Sequence, residues 1–442
     1  MQRLSGPISA QIEVTQGCTQ SCAHCYNFWL YNNPPRAKNK RALRCADFVR
    51  ILDLLYESGV SSLAITGGEP MMRPDVVFSL LARAHELHLD VSLNTNAHLI
   101  TPERALRLRD LGLTSVLTTL LGSEATHDAI ANRKGGQKKT CLGLRNLISA
   151  GISVTTNMVV SRTNFSEVYE TGLLSQEMGC RGFCATPVRP NDQTHLEMLL
   201  SADECKDVLR TLQRLHKETG IDITTLVPFP RCMFSPEEDL EFRQFFGNRI
   251  CSAAITTCQV SCRGDLRPCP NSDQSYGNIL TDGVKACWDR MDHWCQPEIL
   301  PPACRTCDAN IVCEGGCRMA AKSCSGSYNG RDPYMAEPIT DPERLKIMPQ
   351  GHWHNIDLHS QYRINQFTRT RQENLGWIVF ADTNFVYLSP AGLTVYEQLR
   401  QKPFFALEEF DKPGQEEVKE LILKLLGAGI VELAPLRTEV AA

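Results

Sequence analysis

Strand-like and helix-like runs alternate through the first ~235 residues, and no other feature restricts the possible folds as strongly. Ile8 to Val14 predicts a strand, Ala42 to Ser58 a helix, and Ser62 to Thr66 a short strand closed by Gly67 and Gly68. Helices near 74–85, 102–111, 138–150, 165–178 and 201–218 then alternate with strands near 90–95, 114–119, 152–160, 182–187 and 221–226. Strands separated by helices of about 10–15 residues imply βαβ units and a parallel sheet. The expected fold is therefore α/β, a partial (β/α)6 TIM-type barrel over residues 1–240. In such barrels the site lies at the C-terminal ends of the strands.

The character changes twice afterwards. Residues 245–345 are rich in Cys, Gly and Pro, hold eleven of the twenty cysteines, and offer few long helices. Such a stretch buries little apolar surface alone, so it is expected to fold around metal. Residues 355–437 predict a small α+β module resembling a winged helix. Its paired strands include Trp377–Phe380 and Phe385–Leu388, separated by a turn at Asp382–Asn384. Helices follow near 390–401 and 414–427, then a closing run at Ile430–Leu433.

Lys and Arg number 46 against 50 Asp and Glu, a net charge of −4, which points to neither nucleic acid nor an anionic membrane. No apolar run approaches the ~18 residues needed to span a bilayer. The first residues, Met1 to Ile8, lack the apolar region of a signal peptide, so a cytoplasmic protein is expected. A reducing cytoplasm makes clustered cysteines metal ligands more often than disulfides.

The first cluster, Cys18-Thr-Gln-Ser-Cys22-Ala-His-Cys25, follows the first strand directly. Three thiolates at this spacing hold three irons of a [4Fe–4S] cube and leave the fourth iron open to a substrate or cofactor. Structural sites fill all four positions. Tyr26 comes next, and the second strand ends in Thr66-Gly67-Gly68-Glu69-Pro70. Two glycines let a ligand approach the backbone, and Glu69 can accept from an ammonium group. Together, CxxxCxxC and GGEP resemble the radical S-adenosylmethionine (SAM) superfamily. The resemblance implies that SAM chelates the open iron, that an electron from the cluster cleaves it, and that a 5′-deoxyadenosyl radical abstracts hydrogen from the substrate. It also implies SAM contacts from Asn94 and Asn96, from Thr119, and from Arg133. The usual Ser-Leu-Asp-Gly is replaced here by Thr119-Leu-Leu-Gly122, which lacks the Asp.

A second constellation runs from Cys251 through Gly264 and Cys269 to Cys304, Cys307, Cys313, Cys317 and Cys324. It resembles a SPASM domain, a C-terminal extension of radical SAM enzymes with two auxiliary [4Fe–4S] clusters, for three clusters in all. Carried over by position, one cluster uses Cys251, Cys258, Cys269 and Cys317, and the other Cys304, Cys307, Cys313 and Cys324. Cys262 is the alternative to Cys258. A zinc ribbon explains CxxCx5CxxxC but not the remaining cysteines. Cys45, Cys141, Cys180, Cys184, Cys205, Cys232, Cys287 and Cys295 read as buried, inert thiols, with Cys184 placed to face the barrel interior.

The C-terminal module resembles PqqD-like leader-recognition domains, in which a precursor's leader peptide adds a strand to a sheet edge. SPASM enzymes mostly act on peptides. The implied function is a radical SAM maturase that takes hydrogen from a ribosomally made precursor peptide to install a crosslink, an epimerised residue or an excision. A flavodoxin or ferredoxin is the implied reductant. Sulfatase maturases carry Asp after the GxxxxC cysteine, whereas Pro270-Asn271 stands here. The alternatives are a SPASM enzyme acting on a small molecule or tetrapyrrole, and an iron–sulfur sensor reading DNA. The acidic tail (Glu408, Glu409, Glu416, Glu417, Glu420) opposes the last.

Overall fold

The computed structural model describes residues 3–27, 43–190, 193–246, 251–341, 344, 359–410 and 415–434. The expected boundary between 345 and 355 falls outside the described residues, as do Ala42 and residues 435–437.

The alternating pattern becomes one curved α/β sheet, the parallel sheet of a partial barrel. Its strands are β1 (Ser9–Glu13), β2 (Ser62–Thr66), β3 (Asp90–Thr95), β4 (Ser115–Thr119), β5 (Ser153–Val160), β6 (Gly182–Pro187) and β7 (Asp222–Thr224). Each of these pairs in parallel with its sequence neighbour. Parallel pairing brings every C-terminal strand end to one face, here called the mouth. The crossover helices show why the sequence folds this way. Helix Cys45–Glu57 buries Phe48, Ile51, Leu52 and Leu55 at helical spacing. Prolines open helices Pro74–Glu86 and Pro102–Asp110 at positions where no helical N–H is lost. Helix Ala202–Thr219 starts on a Ser201/Glu204 capping box and ends at Gly220 in the left-handed region. A helix that the pattern did not predict, Glu124–Ala131, lies between β4 and helix Gly136–Ser149.

The Cys-rich segment joins the barrel through strands that the sequence pattern did not show. It does not fold apart from the barrel. Strand β8 (Thr257–Val260) pairs in parallel with β1, Ser9 opposite Thr257, and β9 (Leu266–Arg267) adds antiparallel to β8. The strand order is β7-β6-β5-β4-β3-β2-β1-β8-β9. A first strand left as an edge would present unpaired backbone groups, and β8 covers them. Trp288, Trp294 and Met319 accordingly belong to the same apolar core as Ile12, Leu63 and Leu93.

The last described part contains β10 (Gln361–Ile364), β11 (Arg369–Glu373), β12 (Gly376–Ala381), β13 (Asn384–Leu388), β14 (Phe405–Ala406) and β15 (Val431–Leu433). They form two three-stranded sheets, β14-β10-β15 and the meander β11-β12-β13. Helices Pro390–Gln401 and Glu416–Gly427 complete it. Its own core includes Tyr362, Val379, Tyr396, Phe405, Ile422 and Val431. Strands β10 and β14 were not predicted. The module packs where β1 and β2 begin, opposite the mouth: Leu4 and Ile8 form a small core with Ile378 and Phe380. Arg371 donates to the carbonyls of Gly6, Pro7 and Ser58 at 2.8, 3.2 and 3.1 Å. Arg369 donates to those of Tyr56 and Val60 at 3.0 and 2.6 Å. Among the described residues, no helix is long and apolar enough to cross a membrane.

Candidate functional site at the barrel mouth

The mouth is built on the loop that leaves β1. The backbone of Ser21 and Ala23 donates to the carbonyls of Ala131 and Ile130 at 3.1 and 2.9 Å, so the unpredicted helix Glu124–Ala131 braces the cysteine loop. Within that loop Cys25 N donates to Cys22 O at 3.1 Å, closing a turn between these two, and Cys18 lies close enough to act on both.

The three thiols act on one another electrically. Cys22 is pushed far above the usual thiol range, first by burial and then by Cys25 and Cys18. Cys25 is raised to about 11 by burial, with Cys18 adding to it. Burial and the Glu69 carboxylate raise Cys18. Buried thiols so disposed are held protonated by burial and by each other, and a bound cationic cluster reverses that balance and takes them as thiolates. Among the described residues no three Cys, His, Asp or Glu side chains close up around a single ion. A four-iron cube spreads its ligands over separate corners instead of around one centre. The donor set fits a [4Fe–4S] cluster held by three cysteines.

The GGEP turn lies against this loop. Gly68 N donates to Thr15 O at 2.9 Å and Glu69 N to Gly17 O at 2.8 Å. A side chain on Gly67, whose φ is +153°, would meet Thr15 O at 2.6 Å. One on Gly68 would drive into the carbonyl of Gly17. Only glycine allows the two backbones this approach. Glu69 is fully buried, and its carboxylate is already engaged. It accepts from Met71 N at 2.9 Å, Thr95 Oγ1 at 2.7 Å and Asn96 N at 2.8 Å. Burial raises its pKa, against those three hydrogen bonds. Glu69 thus clips β2 to β3, with one of its roughly four lone-pair sites left for a further donor. Pro70 opens the 3-10 turn Pro70–Met72 that follows.

Asn96 connects the two halves. Its Nδ2 lies 2.9 Å from Thr19 Oγ1 and 3.7 Å from Cys18 Sγ. Tyr26 is half-buried, its hydroxyl bonded to Thr66, and desolvation pushes it above the usual phenol range. The structure therefore brings Cys18, Cys22, Cys25, Tyr26, Gly67, Gly68, Glu69 and Asn96 together. Among the described residues, no hydrogen bond joins Asn94, Thr119 or Arg133 to this network. Asn94 and Thr119 are half-buried on β3 and β4, and Arg133 is exposed just past helix Glu124–Ala131. Sequence reasoning missed Thr95, whose hydroxyl holds Glu69, and Gln20, which accepts from Cys22 Sγ at 3.5 Å and lies 3.0 Å from His98 Nε2. The Asn-Thr-Asn strand end was the available signal for Thr95.

The second constellation is only partly gathered as its spacing implied. Cys251, Cys269 and Cys317 interact, and burial first, then Cys317, raises Cys269 to about 12. Cys304, Cys307 and Cys313 form another group, with Cys304 at about 12 and Cys313 at about 11, chiefly through burial. Cys258 is not with the first group. It stands on β8 opposite Ala10, inside the apolar core, and burial alone acts on its thiol. Cys262 faces Glu13, Arg263 and Arg267 instead. Cys324 is not with the second group, but near Asp332, Arg189 and Cys317. The reason is helical geometry: Cys317 caps helix Arg318–Ser325, and seven residues on, about two turns later, Cys324 returns to the same face.

Comparison with known proteins agrees with this geometry. Residues 12–173 match the radical SAM superfamily. The AdoMet-dependent heme synthase of Methanosarcina barkeri is 27% identical over 335 residues, 73% of this chain and 94% of that protein. The mycofactocin maturase MftC of Mycolicibacterium smegmatis is 27% identical over 374 residues, 79% of this chain and 88% of that protein. Streptococcus suis SuiB, crystallised with its precursor peptide SuiA, superposes with a TM-score of 0.59 at 18% identity, covering 75% of this chain and 76% of that one.

Proposed function

Starting from a chain that carries a radical SAM domain and is a radical SAM enzyme, we propose that it is a maturase of a ribosomally made peptide. Cys18, Cys22 and Cys25 hold the reducible [4Fe–4S] cluster. Gly67 and Gly68, which let the GGEP turn pack on the cysteine loop, set that turn beside the SAM methionine, Tyr26 and Asn96 border it, and Asn94, Thr119 and Arg133 complete its pocket. When bound, cluster and SAM together supply the 5′-deoxyadenosyl radical that removes a hydrogen atom from the substrate. The protein's own contribution is to keep the thiols buried and close, to brace their loop on helix Glu124–Ala131, and to hold β2 and β3 in register through Glu69.

Residues 251–341 carry the auxiliary clusters, and the module from Gln361 to Leu433 is PqqD-like. One observation carries the peptide reading. Among the described residues β13 pairs only with β12, so Asn384–Leu388 leaves a sheet edge to which a leader peptide adds as a strand. The module is anchored by Arg369 and Arg371 at the end of the barrel opposite the mouth, so a bound leader tethers its precursor to the barrel and raises the effective concentration of a core peptide long enough to reach the mouth. The likeness to MftC and the fold shared with SuiB support a peptide substrate. Removing residues from 355 onward should weaken binding of a labelled precursor at least tenfold while leaving uncoupled SAM cleavage intact. Full turnover of the precursor by the shortened chain would sink the leader-binding part. A flavodoxin or ferredoxin supplies the electron.

The heme synthase relative favours a second reading, a tetrapyrrole substrate. A Soret-band shift on adding porphyrin, with no binding of peptide, would replace the first reading by this one.

A further inference from the structure

Four cysteines, not three, line the cavity beside the Cys304 group. Cys232, Cys304, Cys307 and Cys313 all line it. Cys232 comes from elsewhere in the chain. It sits in the 3-10 turn Arg231–Met233, just after the barrel's last described strand β7, more than seventy residues before Cys304. Its thiol interacts with Cys307, and Cys304 and Cys313 in turn feel Cys232.

A second, independent feature marks the cavity as a cluster seat. Backbone N–H groups are aimed at its sulfurs: Arg231 N at Cys313 Sγ, 3.3 Å, and Ile339 N at Cys307 Sγ, 3.4 Å. Cys232 is likewise bonded to the backbone of Ala336. Donors of this kind stabilise sulfur carrying negative charge, and hydrogen bonds to sulfur are among the levers that set a cluster's potential. The turn bearing Cys232 is itself rigid. Arg231 is buried and paired with Asp239 at 3.0 Å, and Arg344 joins the same carboxylate.

We propose that Cys232 is the fourth ligand of the auxiliary [4Fe–4S] cluster held by Cys304, Cys307 and Cys313, in the place that the spacing pattern gave to Cys324. The proposal rests on reading this segment as cluster-bearing. Each thiol releases its proton to solvent on binding iron. All four irons are then ligated by protein, so this cluster has no open position for substrate and serves as an electron carrier and a structural tie. Because Cys232 follows β7, the tie joins the end of the barrel to the Cys-rich segment.

The test is alkylation of native, anaerobically reconstituted full-length enzyme with iodoacetamide, read residue by residue by mass spectrometry alongside iron and sulfide content. Wild type should bind about twelve irons, with Cys232, Cys304, Cys307 and Cys313 all protected. Cys232→Ala should either lose about four irons and expose Cys304, Cys307 and Cys313, or keep a cube with one open corner and an altered visible spectrum, while Cys18, Cys22 and Cys25 stay protected, which separates a local loss from misfolding. Cys324→Ala should leave the Cys304 group protected. Cys232→Ser, the closer isostere, should retain iron with an altered visible spectrum should the alanine variant fail to fold. Continued protection of Cys304, Cys307 and Cys313 in Cys232→Ala with iron content and visible spectrum both unchanged, or their exposure in Cys324→Ala, overturns the assignment of Cys232. About four irons in wild type, with Cys304 freely alkylated, overturns the cluster-bearing reading itself and the proposal with it.

Discussion

The two ends of the barrel are finished differently. Where the strands begin, most polar groups are matched, with Thr256 Oγ1 the exception among the described residues. Ser62 and Ser9 share a hydrogen bond of 2.8 Å, Ser62 reaches Asp382 at 3.2 Å, and the carbonyls of Gly6, Pro7, Ser58, Tyr56 and Val60 all receive arginine donors. Where the strands end, Asn27 Oδ1, Thr118 Oγ1, His127 Nε2 and Arg189 Nε and Nη1 are buried with no hydrogen-bond partner among the described residues. Buried polar atoms without partners cost about 1–3 kcal/mol each. The unmatched atoms are thus concentrated at the mouth, and the matched ones where the strands begin.

That contrast breaks if the mouth proves structural. The largest expected effect is at the thiols: Cys18, Cys22 and Cys25 replaced together by Ala should abolish 5′-deoxyadenosine formation, by at least about a thousandfold, and remove about four irons. The product is quantified by chromatography. A thermal midpoint lowered as much as by any core truncation would show that the mouth carries stability after all. Gly68→Ala should follow, because its methyl group meets the Gly17 carbonyl. SAM affinity by equilibrium binding should fall about tenfold or more, equivalent to ~1.4 kcal/mol, and unchanged affinity would separate the GGEP turn from SAM.

At the opposite end, Arg371→Ala removes four hydrogen bonds, three to backbone carbonyls and one to Glu373. It should destabilise by about 2–4 kcal/mol, seen as a lower thermal midpoint with uncoupled SAM cleavage preserved. Loss of cleavage at unchanged stability would blur the two ends into one.

A pH dependence is also expected at the mouth. Burial pushes His127 down to about 4, Asp128 opposing, and its Nδ1 accepts from Leu121 N at 3.2 Å as a neutral ring. An unfolded chain takes up this proton near 6.5 and the folded chain only near 4. Stability from this group is thus present above about 6.5, declines as pH falls toward 4, and is level below, by up to about 3 kcal/mol. His127→Gln should flatten the difference in thermal midpoint between pH 7 and pH 5, and an unchanged slope would assign the acid sensitivity elsewhere.

Much of this was legible in the sequence. The seven strands β1 to β7 stand within about two residues of their predicted places, because period-2 and period-3.6 patterns report local burial. CxxxCxxC and Gly67-Gly68 were readable because their chemistry is contained in short loops at strand ends. The helix Glu124–Ala131 was not, since its eight residues carry little amphipathic signal. Strand β8 was hidden too, because pairing with β1 across more than 240 residues leaves no local trace.

By itself, then, the sequence determined the βα alternation and placed the thiol triad and the Gly67-Gly68 turn at the ends of neighbouring strands, all of them set by residues a few positions apart. Only the tertiary structure decided that the Cys-rich segment completes the barrel sheet and that Glu69 is a clip between strands. It alone separated Cys258 and Cys324 from the groups their spacing implied and brought Cys232 to Cys304. Ligand sets of this kind join distant segments, and spacing along a chain does not encode which segments the packing of a common core brings face to face.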